Sequence, residues 1–221
     1  IDDYDFLMWL SRLTNLYWSL IKDSVIYDDY FRFTLEEARD DGLQCIELKT
    51  TLGGYFEKKP MKILGALLYY GEWSVDKELE ILYRISEEMK NEIYCKIILG
   101  QVRGLRERAP KSILDTVESI KKQCNIHKNY PPSYKNLIRG IDLFGDEVKA
   151  NPNRYYVNTL LDECDLNFYP HGGETEVKGK NYNLSSLIAL TETGKKVRVG
   201  HGIALARDDA LVHSFRQVNI H

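Results

Sequence analysis

LIRGIDLFGDE, residues 137–147, is an apolar run with β-branched and aromatic side chains that ends abruptly in a glycine and two acids. Such a run reads as a buried strand whose carboxyl end opens into a polar loop. Comparable runs occur at residues 43–48 (LQCIEL), 93–99 (IYCKIIL), 166–169 (LNFY), 197–199 (VRV) and 218–220 (VNI). Between them lie stretches of helical period. Residues 76–90 carry Leu79, Leu82, Ile85 and Met89 at spacings of three and four, and residues 110–124 carry Ile113, Val117 and Ile120 behind a Pro110 suited to a first turn. A longer helical pattern covers residues 5–41, with Phe6, Trp9, Leu13, Leu16, Leu20, Tyr30, Phe33 and Ala38 expected to face inward and Gly42 placed to end it. Residues 208–215 read as a short helix. Strand and helix alternating at this spacing predict β-α units with parallel strands. An open doubly wound sheet and an arc of a barrel both satisfy the pattern, although Gly172-Gly173 lacks a dinucleotide fingerprint and so counts against the former.

Bulk composition narrows the partners. The chain has 221 residues, 43% hydrophobic and 29% charged, enough for one core or most of a larger barrel domain. A formal net charge of -3 and a pI near 6.0 give no basic footprint, so nucleic acid is not expected as a partner. The apolar run at residues 63–70 falls short of the roughly 20 residues that cross a bilayer, and no membrane span is expected. No charged-then-apolar leader follows Ile1, which leaves the compartment open. Cys45, Cys95, Cys124 and Cys164 form no Cys-x-x-Cys pair, which excludes a zinc knuckle and the cytidine-deaminase type of zinc site. Buried small hydrophobes are their expected role, with a disulfide left open. Asn183-Leu184-Ser185 is a glycosylation acceptor pattern.

Parallel α/β folds place their active sites at the carboxyl ends of the strands. Three strand ends here carry titratable groups among glycines: Gly145-Asp146-Glu147, His171-Gly172-Gly173-Glu174 and Gly200-His201-Gly202. Taken one at a time, each has a structural reading: His171 as a hydrogen-bonded strand-end histidine, Glu174 as a helix-start acid, and Asp146 and Glu147 as salt-bridged rim residues or substrate contacts. His127 reads as a surface loop residue and His213 as a helix-face residue, with no role assigned to either.

Together the strings GIDLFGDE (140–147), HGGET (171–175) and RVGHG (198–202) resemble the fourth, fifth and sixth strand ends of the adenosine deaminase family, in that family's order. Residues 27–50 are similar to the family's helix and second strand, and residues 96–107 to its third strand and following loop, the closer similarity being to the adenosine deaminase-related growth factor branch. The resemblance implies a (β/α)8 TIM-type barrel, here incomplete and running from about strand 2 to strand 7, in one domain over residues 1–221. It implies zinc-dependent hydrolytic deamination of adenosine to inosine and ammonia, and a secreted location. By the same resemblance His171 is a zinc ligand and Glu174 protonates purine N1, a role for which the pocket must raise its pKa. His201 orients the attacking water and accepts its proton, and Gly145 offers its backbone N–H to the purine. The partner implied is a small-molecule purine nucleoside, with adenine or AMP as variants; the oligomeric state is not legible.

The sequence also departs from the family. It contains no His-x-His pair, the family's first-strand ligands, and no candidate for the eighth-strand Asp. One zinc ion is therefore expected with its remaining ligands outside this chain, and the chain alone is expected to be inactive. Gly172 stands where the family usually has Ala. The alternative reading is a catalytically inactive deaminase-like protein acting as a binding or signalling module.

Overall fold

The computed structural model describes residues 26–52, 56–63, 66–73, 75–174 and 182–217. Two compact units divide the chain, one comprising Ile1–Ile46 and Leu52–Cys95, the other Glu47–Thr51 and Lys96–His221.

In the first unit, helix α1 (Tyr27–Asp40) is followed by the start of strand β1 (Cys45–Thr50), an antiparallel hairpin of β2 (Phe56–Ile63) and β3 (Ala66–Trp73), helix α2 (Val75–Glu88), and the start of strand β4 (Tyr94–Val102). The stripe predicted on α2 is correct: Leu79, Leu82, Ile85 and Met89 are all buried. That predicted on α1 is right at Ala38 but out of phase at Tyr30 and Phe33. Tyr27, Phe31, Leu35 and Ala38 form its buried face, whereas Phe33 is 57% exposed. Spacings of three and four from Ala38 run back to Leu35 and Phe31, and Tyr27 extends the row by donating its hydroxyl to the buried Glu78 carboxylate at 3.0 Å. Gly42 does follow the helix end, with φ 84°. Ion pairs Arg32–Glu88, Arg84–Asp28 and Arg39–Glu92 join the exposed sides of these helices, and Arg32 and Arg84 hold the Glu88 carboxyl below its ordinary value. The hairpin is new relative to the sequence reading, which noted residues 63–70 only as an apolar run. Residues 1–25, with the first half of the predicted long helix, and the predicted strand at 218–220 lie outside the described residues.

The second unit carries the parallel sheet. Its elements are β4, α3 (Lys111–Asn129), α4 (Pro132–Leu137), β5 (Ile138–Phe144), α5 (Val157–Glu163), β6 (Asn167–Phe168), β7 (His171–Gly172), α6 (Tyr182–Ser185), β8 (Gly200–His201) and α7 (Asp209–Gln217). The sheet runs in the order β1-β4-β5-β6, with β4–β5 and β5–β6 parallel. β7 and β8 form a parallel pair, and Phe168 bridges Val197 in the same sense. β6 and β7 are two halves of one strand path broken at Pro170, which has no N–H to give the ladder. Its carbonyl still accepts from Gly200 N at 2.9 Å. The middles of the central strands β4 and β5, with Phe168 of β6, are buried, Ile97, Ile98, Leu99, Ile141, Leu143 and Phe168 all at 1% exposure or less, as a parallel sheet covered on both faces requires. This is a mixed α/β fold of the TIM-barrel type, in which the described strands form an arc and do not close.

Helix α3 turns a different face inward from the one its apolar residues suggest. Ser112, Thr116, Ile120, Gln123 and Cys124 are buried, while Ile113 and Val117 are half-buried. Ser112 and Thr116 are tolerated inside because they satisfy backbone groups: Ser112 Oγ donates to Leu105 O at 2.7 Å, and Thr116 Oγ1 accepts from Gly104 N at 3.1 Å. His127 belongs to this helix rather than to a loop, and its burial pulls its pKa down. Cys124 is joined to Cys164 by a disulfide, Cys95 is a buried thiol outside that bond, and Cys45 is an exposed one. No described helix is long and apolar enough to cross a membrane.

Candidate active site

Pairing of β7 with β8 sets His171 beside Gly200 and Gly172 beside His201. Side chains on neighbouring parallel strands are thereby brought edge to edge. The two imidazoles make a T-shaped contact with centroids 4.9 Å apart. Glu174 follows just beyond β7, and its Oε2 lies 3.8 Å from His201 Nε2. That distance exceeds a hydrogen bond but is within range of a charge on either ring. His171 and Glu174 of HGGET and His201 of RVGHG thus stand together at one sheet end.

His171 is the most tightly held of the three. Its Nδ1 is 2.8 Å from Asp142 Oδ1, its backbone N–H donates to the same oxygen at 3.1 Å, and its carbonyl accepts from Asn153 Nδ2 at 3.0 Å. Asp142 is fully buried on β5, with Lys49 Nζ of β1 3.0 Å from its other oxygen as an ion pair. A carboxylate can only accept, so Nδ1 of His171 carries the proton and Nε2 presents a lone pair. A carboxylate that accepts from the far ring nitrogen of a metal-ligating histidine imposes this same arrangement. His171 is therefore fit to bind a metal. Among the described residues no cluster of three or more His, Cys, Asp and Glu side chains is close enough to enclose one.

His201 is held differently. Its φ of 66° is the one left-handed value among the described non-glycine residues, and Gly202 follows at φ 64°. Two successive left-handed residues turn the chain sharply at the strand end, and Gly202 N then bonds Gly172 O and Ala204 N bonds Gly173 O, both at 2.9 Å. The His201 side chain is 35% exposed and that of Glu174 46%, so both are open to a ligand.

Gly145 lies at the neighbouring end of β5 with φ 131°, a conformation few side-chain-bearing residues adopt. Its carbonyl accepts from Arg103 Nη2 at 2.7 Å, and the preceding Phe144 carbonyl accepts from Arg103 N at 2.8 Å. Asp146 turns back to cap Val148 N and Lys149 N. Glu147 is 3% exposed, and its Oε1 accepts the buried Gly173 N–H at 2.8 Å. Arg103 is 1% exposed. Burial pushes its guanidinium below its ordinary value, opposed chiefly by the charge of Glu147.

Asp142, Lys49, Asn153, Arg103 and the inward role of Glu147 were missed from sequence. One signal was there to use: Asp142 interrupts the apolar run LIRGIDLF, and an acid at a buried strand position needs a partner.

Curated proteins of similar sequence share a description. The chain is 30% identical to an adenosine deaminase of Phlebotomus duboscqi over 206 residues, 91% of this chain and 36% of that protein. It is 22% identical to adenosine deaminase 2-A of Danio rerio over 207 residues, 92% of this chain and 38% of that protein. With an adenosine deaminase of Lutzomyia longipalpis it shares 25% identity over 206 residues, 91% and 36% of the respective lengths. The chain thus spans little more than a third of these relatives. No family model matches the sequence. Among solved structures it resembles Arabidopsis ADAL, crystallised in complex with GMP, at a TM-score of 0.50 and 15% identity, over 88% of this chain and 50% of that one, which supports the fold alone. HGGET and RVGHG meet at one sheet end, and over nearly its whole length the chain is similar to a part of these adenosine deaminases.

Proposed function

We propose that this chain supplies the purine-facing part of a zinc-dependent adenosine deaminase, which hydrolyses adenosine to inosine and ammonia. The observation that carries the reading is the His171–Asp142 bond, which leaves Nε2 of His171 as a fixed lone pair beside His201 and Glu174. A structural histidine does not call for a second imidazole and a carboxyl group at the same strand end.

His171 Nε2 would hold the zinc, with Asp142 and Lys49 keeping the ring in place. When bound, zinc supplies a Lewis acid that lowers the pKa of water toward neutrality. His201 is positioned to orient the attacking water and take up its proton at Nε2. Glu174 is positioned to deliver a proton to N1 of the ring, which makes C6 more electrophilic, and Gly145 to donate its N–H to the purine. The Cys124–Cys164 disulfide supports a secreted location, since such bonds persist in oxidising compartments.

The test is made on the full-length protein. Deamination is followed by the loss of adenosine absorbance and by chromatography of inosine, with metal content by mass spectrometry. About one zinc per chain, lost together with activity in His171→Ala, is the expected outcome. A purified protein that binds purine nucleoside without turnover, zinc present or not, would instead establish a binding module.

A further inference from the structure

Two buried charged residues grip the glycines that follow β5 and β7. Gly145 ends β5 and Gly173 follows β7. Each is left-handed, and each is held through its backbone by a side chain from another strand end: Gly145 O by Arg103 Nη2 at 2.7 Å, and Gly173 N by Glu147 Oε1 at 2.8 Å. Arg103 and Glu147 are 1% and 3% exposed, and Glu147 is the largest charge opposing the effect of burial on Arg103. Resting on the deaminase reading, we infer that Glu147 and Arg103 are positioning residues: Glu147 sets the place of Glu174 through Gly173, and Arg103 aims the Gly145 N–H at the purine.

The geometry gives each a distinct effect. Gly173 is the residue before Glu174, so its N–H fixes the base of the turn that carries the carboxyl group. In the trans Phe144–Gly145 peptide, C=O and N–H point in opposite directions. Arg103 N holds that C=O and Arg103 Nη2 holds the next one, so the Gly145 N–H is directed away from Arg103. Glu147 therefore acts on proton delivery, a property of kcat, and Arg103 on purine binding, a property of KM. A pair retained only for stability would alter neither separately.

Steady-state deamination and thermal midpoints of the full-length protein test this with Glu147→Ala, Glu147→Gln, Glu147→Asp and Arg103→Lys. Glu147→Ala is expected to lower kcat about a hundredfold with KM within about threefold of wild type, as a misplaced proton donor does. Glu147→Gln restores an acceptor for Gly173 N–H while removing the charge beside Arg103, so kcat returns to within about threefold although the melting temperature falls. If the alanine variant does not fold, Glu147→Asp carries the test: it keeps the charge but is one methylene short, and kcat drops about tenfold at constant KM. Arg103→Lys raises KM about tenfold with a smaller change in kcat. Losses that track only the folded fraction, or kcat and KM moving together in both sets, overturn the inference and leave the deaminase reading standing. A wild-type protein inactive on every aminopurine overturns both.

Discussion

His201 adopts φ 66°, in the left-handed region that glycine prefers and where other residues cost about 1–3 kcal/mol. That strain is the means by which the ring leaves the strand and meets His171. Replacing it by glycine should relieve the strain and remove the imidazole together: His201→Gly is expected to be about 1 kcal/mol more stable to urea and catalytically silent in the full-length protein, whereas His201→Ala gains no stability. A glycine variant less stable than wild type would show that the turn is not strained. Asp142 makes a second prediction at this scale. In Asp142→Asn the oxygen that accepts from the His171 ring and backbone loses its negative charge, and the ion pair with Lys49 is lost with it, so zinc affinity, measured by competition with a chromophoric chelator, should drop about 10–100-fold. These effects come from single atoms: one oxygen orients a ring, one φ aims another.

At the scale of elements, helix α1 shows how far periodicity carries. Counting apolar residues makes Phe33 as good a core candidate as Phe31, since both fall in the string YFRF, yet Phe31 is 5% exposed and Phe33 57%. Phe31→Ala should cost about 3–5 kcal/mol and Phe33→Ala less than about 0.5 kcal/mol by denaturant unfolding; equal costs would refute the burial pattern. Helix α3 makes the same point with polar residues. Ser112 and Thr116 face inward because Gly104, Leu105 and the helix's own carbonyls need partners there, a need invisible in the helix sequence alone. Strands were easier to read. β4 and β5 each follow an apolar run nearly residue for residue, because a strand buried on both faces must be apolar at every position and so announces itself. The β2–β3 hairpin was missed because residues 56–62, FEKKPMK, mix charge and Pro with no clean alternation.

For the molecule as a whole, the Cys124–Cys164 disulfide ties α3 to the segment leading into β6 across a sequence separation of 40 residues. Closing a loop of that length removes about 4 kcal/mol of unfolded-chain entropy. Cys124→Ser with Cys164→Ser should lower unfolding stability by an amount of that order, measurable by denaturant titration, and a reductant should lower the wild type to match; no effect of either would show the bond to be absent in solution. The sequence by itself determined the fold class and the three strings of the site, because short motifs confined to strand ends keep their chemistry within a few residues: GIDLFGDE, HGGET and RVGHG each carry their own glycines and titratable groups. Only the tertiary structure decided which groups meet. The contact of His171 with His201, the bonds of Asp142 to His171 and Lys49, and the reach of Glu147 to Gly173 join residues 26 to 93 positions apart. Such pairings depend on strand order and register, which are set by packing across the sheet and leave no mark in the local sequence.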